Sequence, residues 1–387
     1  MSDRVIYLDN AATTFPKPGR VFDRMVETYG RLGVSPGRGS YDLAVEAEHL
    51  VAETRLKLAS FFGAPDPDRV VFASNATDAL NLAIQGMVGP GDHVVSTRLE
   101  HNSVLRPLFH LRERGWIEYD LVPFDNQGFV DPQEIASAIR LNTRLVAVTH
   151  ASNVLGTVQP VREIARVCSE RGVPLLIDTA QSAGQVPIDM GGWGVSAIAF
   201  TGHKSLLGPT GTGGLVCSPD LRIEPTRFGG TGVDSQNPRH TATFPHRLEA
   251  GTLNLMGIIG LSAGLDYLLE QGLATLRLQE MALLKRFREG LASLPRVTLY
   301  GSPPGDSHVP LILCNVQGLN PTDVGTILDG DYGIAVRTGL HCAPLVHTDL
   351  GTISTGAVRF SLGYSTTEED IDAALRAMAE ISGGLSL

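Results

Sequence analysis

An aspartate and a lysine stand in this chain where one ligand can meet both. Within 174–214 two apolar runs, 175–177 and 195–200, are too short for buried helices and stop at polar residues, as buried parallel strands do. The first run ends in Asp178 and the second in Thr201-Gly202-His203-Lys204. Open α/β sheets bind ligands beyond the carboxyl ends of their strands, so the two side chains can converge. A lysine amine forms a Schiff base with a carbonyl, and an acid keeps a heteroaromatic nitrogen protonated. Pyridoxal phosphate requires both services. Alone, the pair reads more readily as a capping aspartate and a solvated lysine, and the surrounding residues must decide.

Other polar residues follow strand-like runs at the same edge. Ser74-Asn75-Ala76-Thr77-Asp78 stands where a strand hands over to a helix. The free N–H groups and positive dipole end of such a helix make an anion site, to which the Thr77 hydroxyl adds a donor. His101 follows the next strand, where a flat imidazole can stack on an aromatic ring or serve the fold. Asn153 follows the strand after that, and Gln181 lies just beyond Asp178. Thr201 and His203 flank the lysine and can donate to a phosphate. Helix capping alone accounts poorly for polar residues after so many successive strands.

A thiol is the other chemical group. Cys168 lies in a helical pattern and Cys217 and Cys314 in apolar strands, where cysteine acts as a small core residue. Cys342 sits instead in Arg337-Thr338-Gly339-Leu340-His341-Cys342-Ala343-Pro344, a Gly/Pro-bounded loop beside a histidine, the setting of a reactive thiol. His341, Cys342 and His347 lack regular ligand spacing, so no metal site is expected.

The elements that must position these groups follow from the pattern. Strand-like runs at 70–74, 93–97, 117–122, 145–150, 175–178, 196–202 and 214–218 alternate with helical ones at 77–87, 103–114, 132–140 and 161–171. This predicts an α/β fold with a mostly parallel sheet covered on both faces. Upstream lie a short strand within 5–18 and helices near 21–31 and 42–62. Residues 223–250, rich in Gly, Pro, Arg and Thr, read as a long functional loop. A helical tract over 254–293, long enough to require a bend, precedes strands near 297–300, 310–316, 334–337 and 357–361 and a helix near 367–382. The expected division is an N-terminal segment, 1–20, associated with the small domain; a large domain, 21–255; and a smaller α+β domain, 256–387, carrying the Cys342 loop.

Composition narrows the setting. The chain has 387 residues, 43% hydrophobic and 19% charged, enough apolar material for a large core. A net charge of -10 without a basic run argues against nucleic acid. There is no long apolar run and no signal-peptide core, and the four cysteines form no CxxC pair. A cytoplasmic protein with reduced thiols, away from membranes, is expected.

YLDNAATT, SNATDALN, LEHNS, SNVLG, LIDTAQ, TGHK, GPTG and EAGTLN, in this order over nearly the whole chain, resemble the class V aminotransferase-fold enzymes that use pyridoxal phosphate. The resemblance implies a fold-type I homodimer with a seven-stranded sheet. It assigns Lys204 to the cofactor Schiff base, Asp178 to the pyridinium, His101 to stacking on the ring and Gln181 to the ring oxygen. Thr77, Thr201 and His203 fall to the phosphate, joined by Thr252 of EAGT from the partner subunit. Ala76 stands where many relatives have a second threonine, which leaves that phosphate hydrogen bond either absent or made by the backbone.

RTGLHCAP is similar to the RxGHHCA signature of cysteine desulfurases in the group that includes selenocysteine lyases, with Leu340 in place of the first histidine. By this resemblance Arg359, helped by Asn153, clamps the carboxylate of L-cysteine, which suits a guanidinium fork. Lys204 then takes the Cα proton, Cys342 thiolate attacks the substrate sulfur and becomes a persulfide, and alanine leaves. His101 is the candidate proton relay. The 339–351 loop must close over the cofactor or already lie there. A carrier protein, an iron–sulfur assembly scaffold or a small thiol would accept the sulfur. A selenocysteine lyase, or a class V enzyme with another amino-acid substrate, is the nearest alternative. A nucleotide-binding scaffold built on GPTGTGG is the alternative from another class, although that cluster lacks the Gly-Lys-Ser/Thr ending of a P-loop.

Overall fold

A computed structural model describes residues 5–37, 39–233 and 236–383. Residues 1–4 of the expected N-terminal segment, Arg38 of SPGRGS and residues 234–235 of the 223–250 loop lie outside the described residues.

In chain order the strands are β1 (Ile6–Tyr7), β2 (Val70–Ala73), β3 (Asp92–Thr97), β4 (Ile117–Val122), β5 (Thr143–Thr149), β6 (Leu175–Asp178), β7 (Ala197–Thr201) and β8 (Gly213–Cys217), followed by β9 (Val297–Tyr300), β10 (Leu311–Val316), β11 (Ile334–Ala335), β12 (Arg337–Gly339) and β13 (Ala357–Ser361). The helices are α1 (Gly19–Leu32), α2 (Asp42–Phe61), α3 (Ala76–Met87), α4 (Asn102–Glu113), α5 (Pro132–Ala138), α6 (Val161–Glu170), α7 (Met190–Trp193), α8 (Leu255–Gln271), α9 (Leu273–Ala292), α10 (Pro321–Tyr332), α11 (Pro344–Asp349) and α12 (Glu368–Gly383).

Seven strands form one sheet in the order β2-β8-β7-β6-β5-β3-β4, with β8 antiparallel to both neighbours and the rest running one way. Both faces are covered, which is why these strands read as continuous apolar runs. Along β5, Val146 and Val148 join the core formed with α2, α6 and α8, while Leu145 and Ala147 join the core under α3 and α4. β7 divides the same way, Ile198 and Phe200 against Ala197 and Ala199.

A second sheet, β12-β13-β10-β9, is wholly antiparallel, and its core is shared with α9, α10 and α12. β1 pairs in parallel with β11, and Asp9 bridges to Ser361, so the N-terminal segment lies along this sheet.

Three local expectations need correction. The strand expected at 334–337 is two, because β11 pairs with β1 and β12 with β13. The 339–351 loop contains a short helix, α11, with Pro344 at its first position, where the missing N–H costs nothing. The GPTGTGG glycines serve packing. A Cβ on Gly213 would lie 2.7 Å from the Asn75 backbone, so glycine lets the start of α3 sit against β8. The bend expected within 254–293 falls at Gly272, whose φ of +78° separates α8 from α9.

One buried ion pair ties the Glu249-Ala250-Gly251-Thr252 turn to the large sheet. Arg55 Nη2 lies 2.8 Å from Glu249 Oε2, both side chains nearly dry, and Glu249 Oε1 accepts the Phe72 N–H at 2.6 Å. Arg55 also donates to the Val70 carbonyl. Removing one partner strands a buried charge. Glu249→Ala is therefore expected to destabilise the protein by about 3–5 kcal/mol in urea unfolding, and the double change Arg55→Met/Glu249→Leu by much less.

Candidate functional site

The carboxyl ends of β2, β3, β5, β6 and β7 open into one cavity of about 280 Å³, close to the lower end of the roughly 300–1,000 Å³ usual for ligand pockets. At one end α3 begins. Asn75 Oδ1 accepts the Asp78 N–H at 2.9 Å, and among the described residues the N–H groups of Ala76 and Thr77 have no partner. Both residues line the cavity, so this helix end is ready for an anion. Thr77 Oγ1 is held 2.7 Å from Ser103 Oγ. Thr201 and His203 line the same wall, and Thr201 Oγ1 donates to the Thr212 carbonyl at 3.4 Å.

Asp178 ends β6. Its Oδ1 accepts the Ala180 N–H at 2.9 Å, while among the described residues no hydrogen bond reaches its other oxygen. Burial pushes this carboxyl up, opposed by the Ala180 N–H and the Lys204 charge. Lys204 follows β7 and faces the cavity. Burial brings its amine down to about 8, against the pull of Asp178. An acid and a desolvated amine in one cavity fit a ring cation joined to a carbonyl.

His101 caps α4. Its Nδ1 accepts the Ser103 N–H at 3.1 Å, so the proton sits on Nε2. Burial, then the Lys204 and arginine charges, lower it to about 4, and the ring is neutral near pH 7. Gln181 is fixed by its Nε2 donating to the Ala11 carbonyl at 3.0 Å.

Arg359, in the middle of β13, is 1% exposed. It donates from Nη2 to Asp9 Oδ1 at 2.8 Å and from Nη1 to the Asn153 carbonyl at 2.9 Å, while its buried Nε has no partner. Asn153 also turns its amide to the His341 carbonyl, 2.6 Å away. The Cys342 loop therefore already lies on the large sheet, and the Asn102 N–H holds the Cys342 carbonyl at 2.8 Å. His341 and Cys342 are both left-handed, with φ of +52° and +59°, a conformation costing roughly 1–2 kcal/mol per non-glycine residue. Cys342 is half-buried, and its Sγ lies 3.5 Å from Arg337 Nη2. Arg337 and His341 line the cavity. The other three thiols are core residues, pushed up to about 12 by burial. His341 and His347 bond each other, and no group of three or more metal-ligating side chains occurs among the described residues.

Ten of the singled-out residues thus share one cavity: Ala76, Thr77, His101, Asn153, Asp178 and Gln181, with Thr201, His203, Lys204 and Arg359. Cys342 stands beside it. Thr252 does not reach it and lines a separate cleft with Arg55 and Glu249. Sequence reasoning missed Asp9, Ser103, Lys17 and a role for Arg337. Asp9 and Arg337 lay within the quoted motifs, but their partners were not readable there. The His203 carbonyl accepts from Lys17 Nζ at 2.8 Å and from Thr13 Oγ1 at 3.0 Å, so the N-terminal segment braces the turn that carries Lys204.

The aminotransferase class-V family model matches residues 6–374. The chain is 39% identical over 384 residues to a probable cysteine desulfurase of Methanothermobacter thermautotrophicus, covering 98% of this chain and 95% of that protein. It is 36% identical over 375 residues to a cysteine desulfurase of Pectobacterium atrosepticum, with coverages of 95% and 90%. Among solved structures, the apo cysteine desulfurase of Thermococcus onnurineus matches with a TM-score of 0.92 at 36% identity, covering 98% of this chain and 95% of that one. The cysteine desulfurase CsdA (S-sulfonic acid) of Escherichia coli matches at 0.88 and 27%, covering 100% and 96%.

The lowered Lys204 amine is directly measurable. With the cavity free of ligand, modification of Lys204 by an amine-reactive reagent should be half-maximal near pH 8, read by peptide mapping so that Lys17, also lowered to about 8, is scored separately. A midpoint near the ordinary lysine value would contradict the desolvated site.

Proposed function

The chain belongs to the class-V aminotransferase family, and from that membership we propose that it is a pyridoxal-phosphate-dependent cysteine desulfurase, converting L-cysteine to L-alanine and passing the sulfur to Cys342 as a persulfide. The docking of the Cys342 loop carries this reading. Asn153 and Asn102 hold a left-handed cysteine, with a guanidinium 3.5 Å from its sulfur, at the edge of the cavity that contains Lys204.

The cavity suits the cofactor. The open N–H groups of α3, with Thr77, Thr201 and His203, would hold the phosphate. The free Asp178 oxygen would meet the ring nitrogen, His101 the ring face and Gln181 the ring oxygen. Bound there, pyridoxal phosphate supplies a sink for the electron pair released at Cα. Lys204 Nζ would hold the group and, once displaced by substrate, would be the base for the Cα proton. With a value of about 8, roughly a tenth of it is neutral at pH 7.

Arg359, which lines the cavity beside Asn153, would take the substrate carboxylate. Cys342 thiolate then attacks the cysteine sulfur. A sulfur–sulfur bond forms and the Cβ–S bond breaks, and the pair left on Cβ takes a proton to become the alanine methyl. His101, protonated at Nε2, is the relay for that proton. A reductant, a small thiol, a carrier protein or an iron–sulfur assembly scaffold would take the sulfur from Cys342.

The same reading makes the protein a homodimer. Phe22, Val26, Leu43, Val45 and Leu56 on α1 and α2 are exposed apolar side chains suited to a second copy, which would bring Thr252 to the partner's phosphate site. Four unpaired cysteines suit a reducing cytoplasm. Among the described residues, no helix is long and apolar enough to cross a membrane. Residues 21–255 act as the cofactor-binding unit and 256–387 as the unit carrying Cys342, with 1–20 associated with the latter.

Incubation with L-cysteine, pyridoxal phosphate and a reductant should yield alanine and sulfide in equal amounts, and Cys342→Ala should reduce both to background. Sulfide release that survives this change would overturn the persulfide step and favour a lyase. Arg359→Lys, which loses the fork, should raise KM for cysteine roughly ten- to hundredfold in the same assay.

A further inference from the structure

Behind Cys342 lies a buried set of side chains that the reaction above does not use. His341, His347 and Thr352 are almost fully buried. His341 Nδ1 lies 3.2 Å from His347 Nε2, with the rings stacked at 5.3 Å between centroids. His347 Nδ1 lies 2.8 Å from Thr352 Oγ1, and His341 Nε2 lies 3.5 Å from the Arg337 carbonyl.

The proton positions follow from what each end can do. A carbonyl only accepts, so His341 Nε2 donates to Arg337. His341 Nδ1 must then accept from His347 Nε2–H, and His347 Nδ1 from the Thr352 hydroxyl. Both rings are neutral in this arrangement, and every ring nitrogen has a partner. Burial and the Arg359 charge act the same way, holding His341 down to about 2, and burial holds His347 down to about 4.

The chain of bonds runs from β12, across the loop, to the residues after α11, and so closes the segment 337–352 around Cys342. The Thr352 N–H also donates to the His347 carbonyl at 2.8 Å, fixing its far end. Asn153 and Asn102 hold only the carbonyls of His341 and Cys342. The ring of His341, bonded at both nitrogens, adds a side-chain restraint on these two adjacent left-handed residues.

We propose that His347 and Thr352 are positioning residues that lock the His341 ring, and through it hold the Cys342 sulfur beside the Arg337 guanidinium at the cavity mouth. This rests on the desulfurase reading for its consequence but not for its geometry.

The test uses Thr352→Val, which keeps shape and removes the donor, His347→Leu, and the conservative Thr352→Ser. All are compared as cofactor-loaded protein. Iodoacetamide alkylation of Cys342, followed by peptide mass without added cysteine, should slow about fivefold in Thr352→Val and His347→Leu, the scale of one lost neutral hydrogen bond. kcat for alanine should fall by a similar factor, with KM and cofactor absorbance unchanged, and Thr352→Ser should restore both. Unchanged alkylation in both disruptive variants overturns the proposal. So does a parallel loss of KM, cofactor absorbance and Tm, which marks general loss of packing. If His347→Leu fails to fold, Thr352→Val decides alone. Alkylation needs no turnover, so failure of the desulfurase assay leaves this result readable.

Discussion

A buried guanidinium holds the site together. Arg359 lies in the small sheet, yet its partners are Asp9 from the N-terminal segment and the carbonyl of Asn153 from the turn after β5. A guanidinium buried without partners costs several kcal/mol, so these three parts of the chain cannot separate cheaply. Asn153 passes the constraint on through its amide to the His341 carbonyl, which places the thiol loop against the same wall. The Arg359 Nε–H stays buried and unpaired within the wall, while the guanidinium as a whole lines the cavity.

The charges around this arginine explain what else the cavity accepts. Lys204, Arg337 and Arg359 line it, while His101, His203 and His341 are held neutral by burial and by those cations. Glu100, buried beneath β3 and β5 and bonded to Thr97 Oγ1 and the Thr149 N–H, is pushed up to about 8 by burial, with a further push from Asp178. A neutral Glu100 spares Asp178 a second negative charge in the same dry region, which favours Asp178 as the carboxylate that faces a ring cation. The surplus of cations suits a ligand that brings a phosphate and a carboxylate.

Much of this was legible because strand ends are legible. Runs buried on both faces announce the parallel sheet, and polar residues just past Ala73, Thr97, Thr149, Asp178 and Thr201 share one edge by topology. Pairings between distant segments were not. Nothing local links Asp9 to Arg359, and β11 and β12 read as one strand because only their partners, β1 and β13, divide them. α11 hid inside a motif read for its cysteine, and the short polar clamp behind it carried no periodic signal. The glycines of GPTGTGG have the composition of a phosphate loop, but Gly213 is spent on contact between β8 and the start of α3, and Gly208 on close approach to Leu261 of α8.

The most direct measurement is the mass of the Cys342 peptide after a single turnover with L-cysteine, quenched without reductant. A desulfurase of the kind described here gains one sulfur atom on that peptide, removable by reductant, for each alanine formed. Alanine and sulfide formed while the Cys342 peptide keeps its original mass would contradict it.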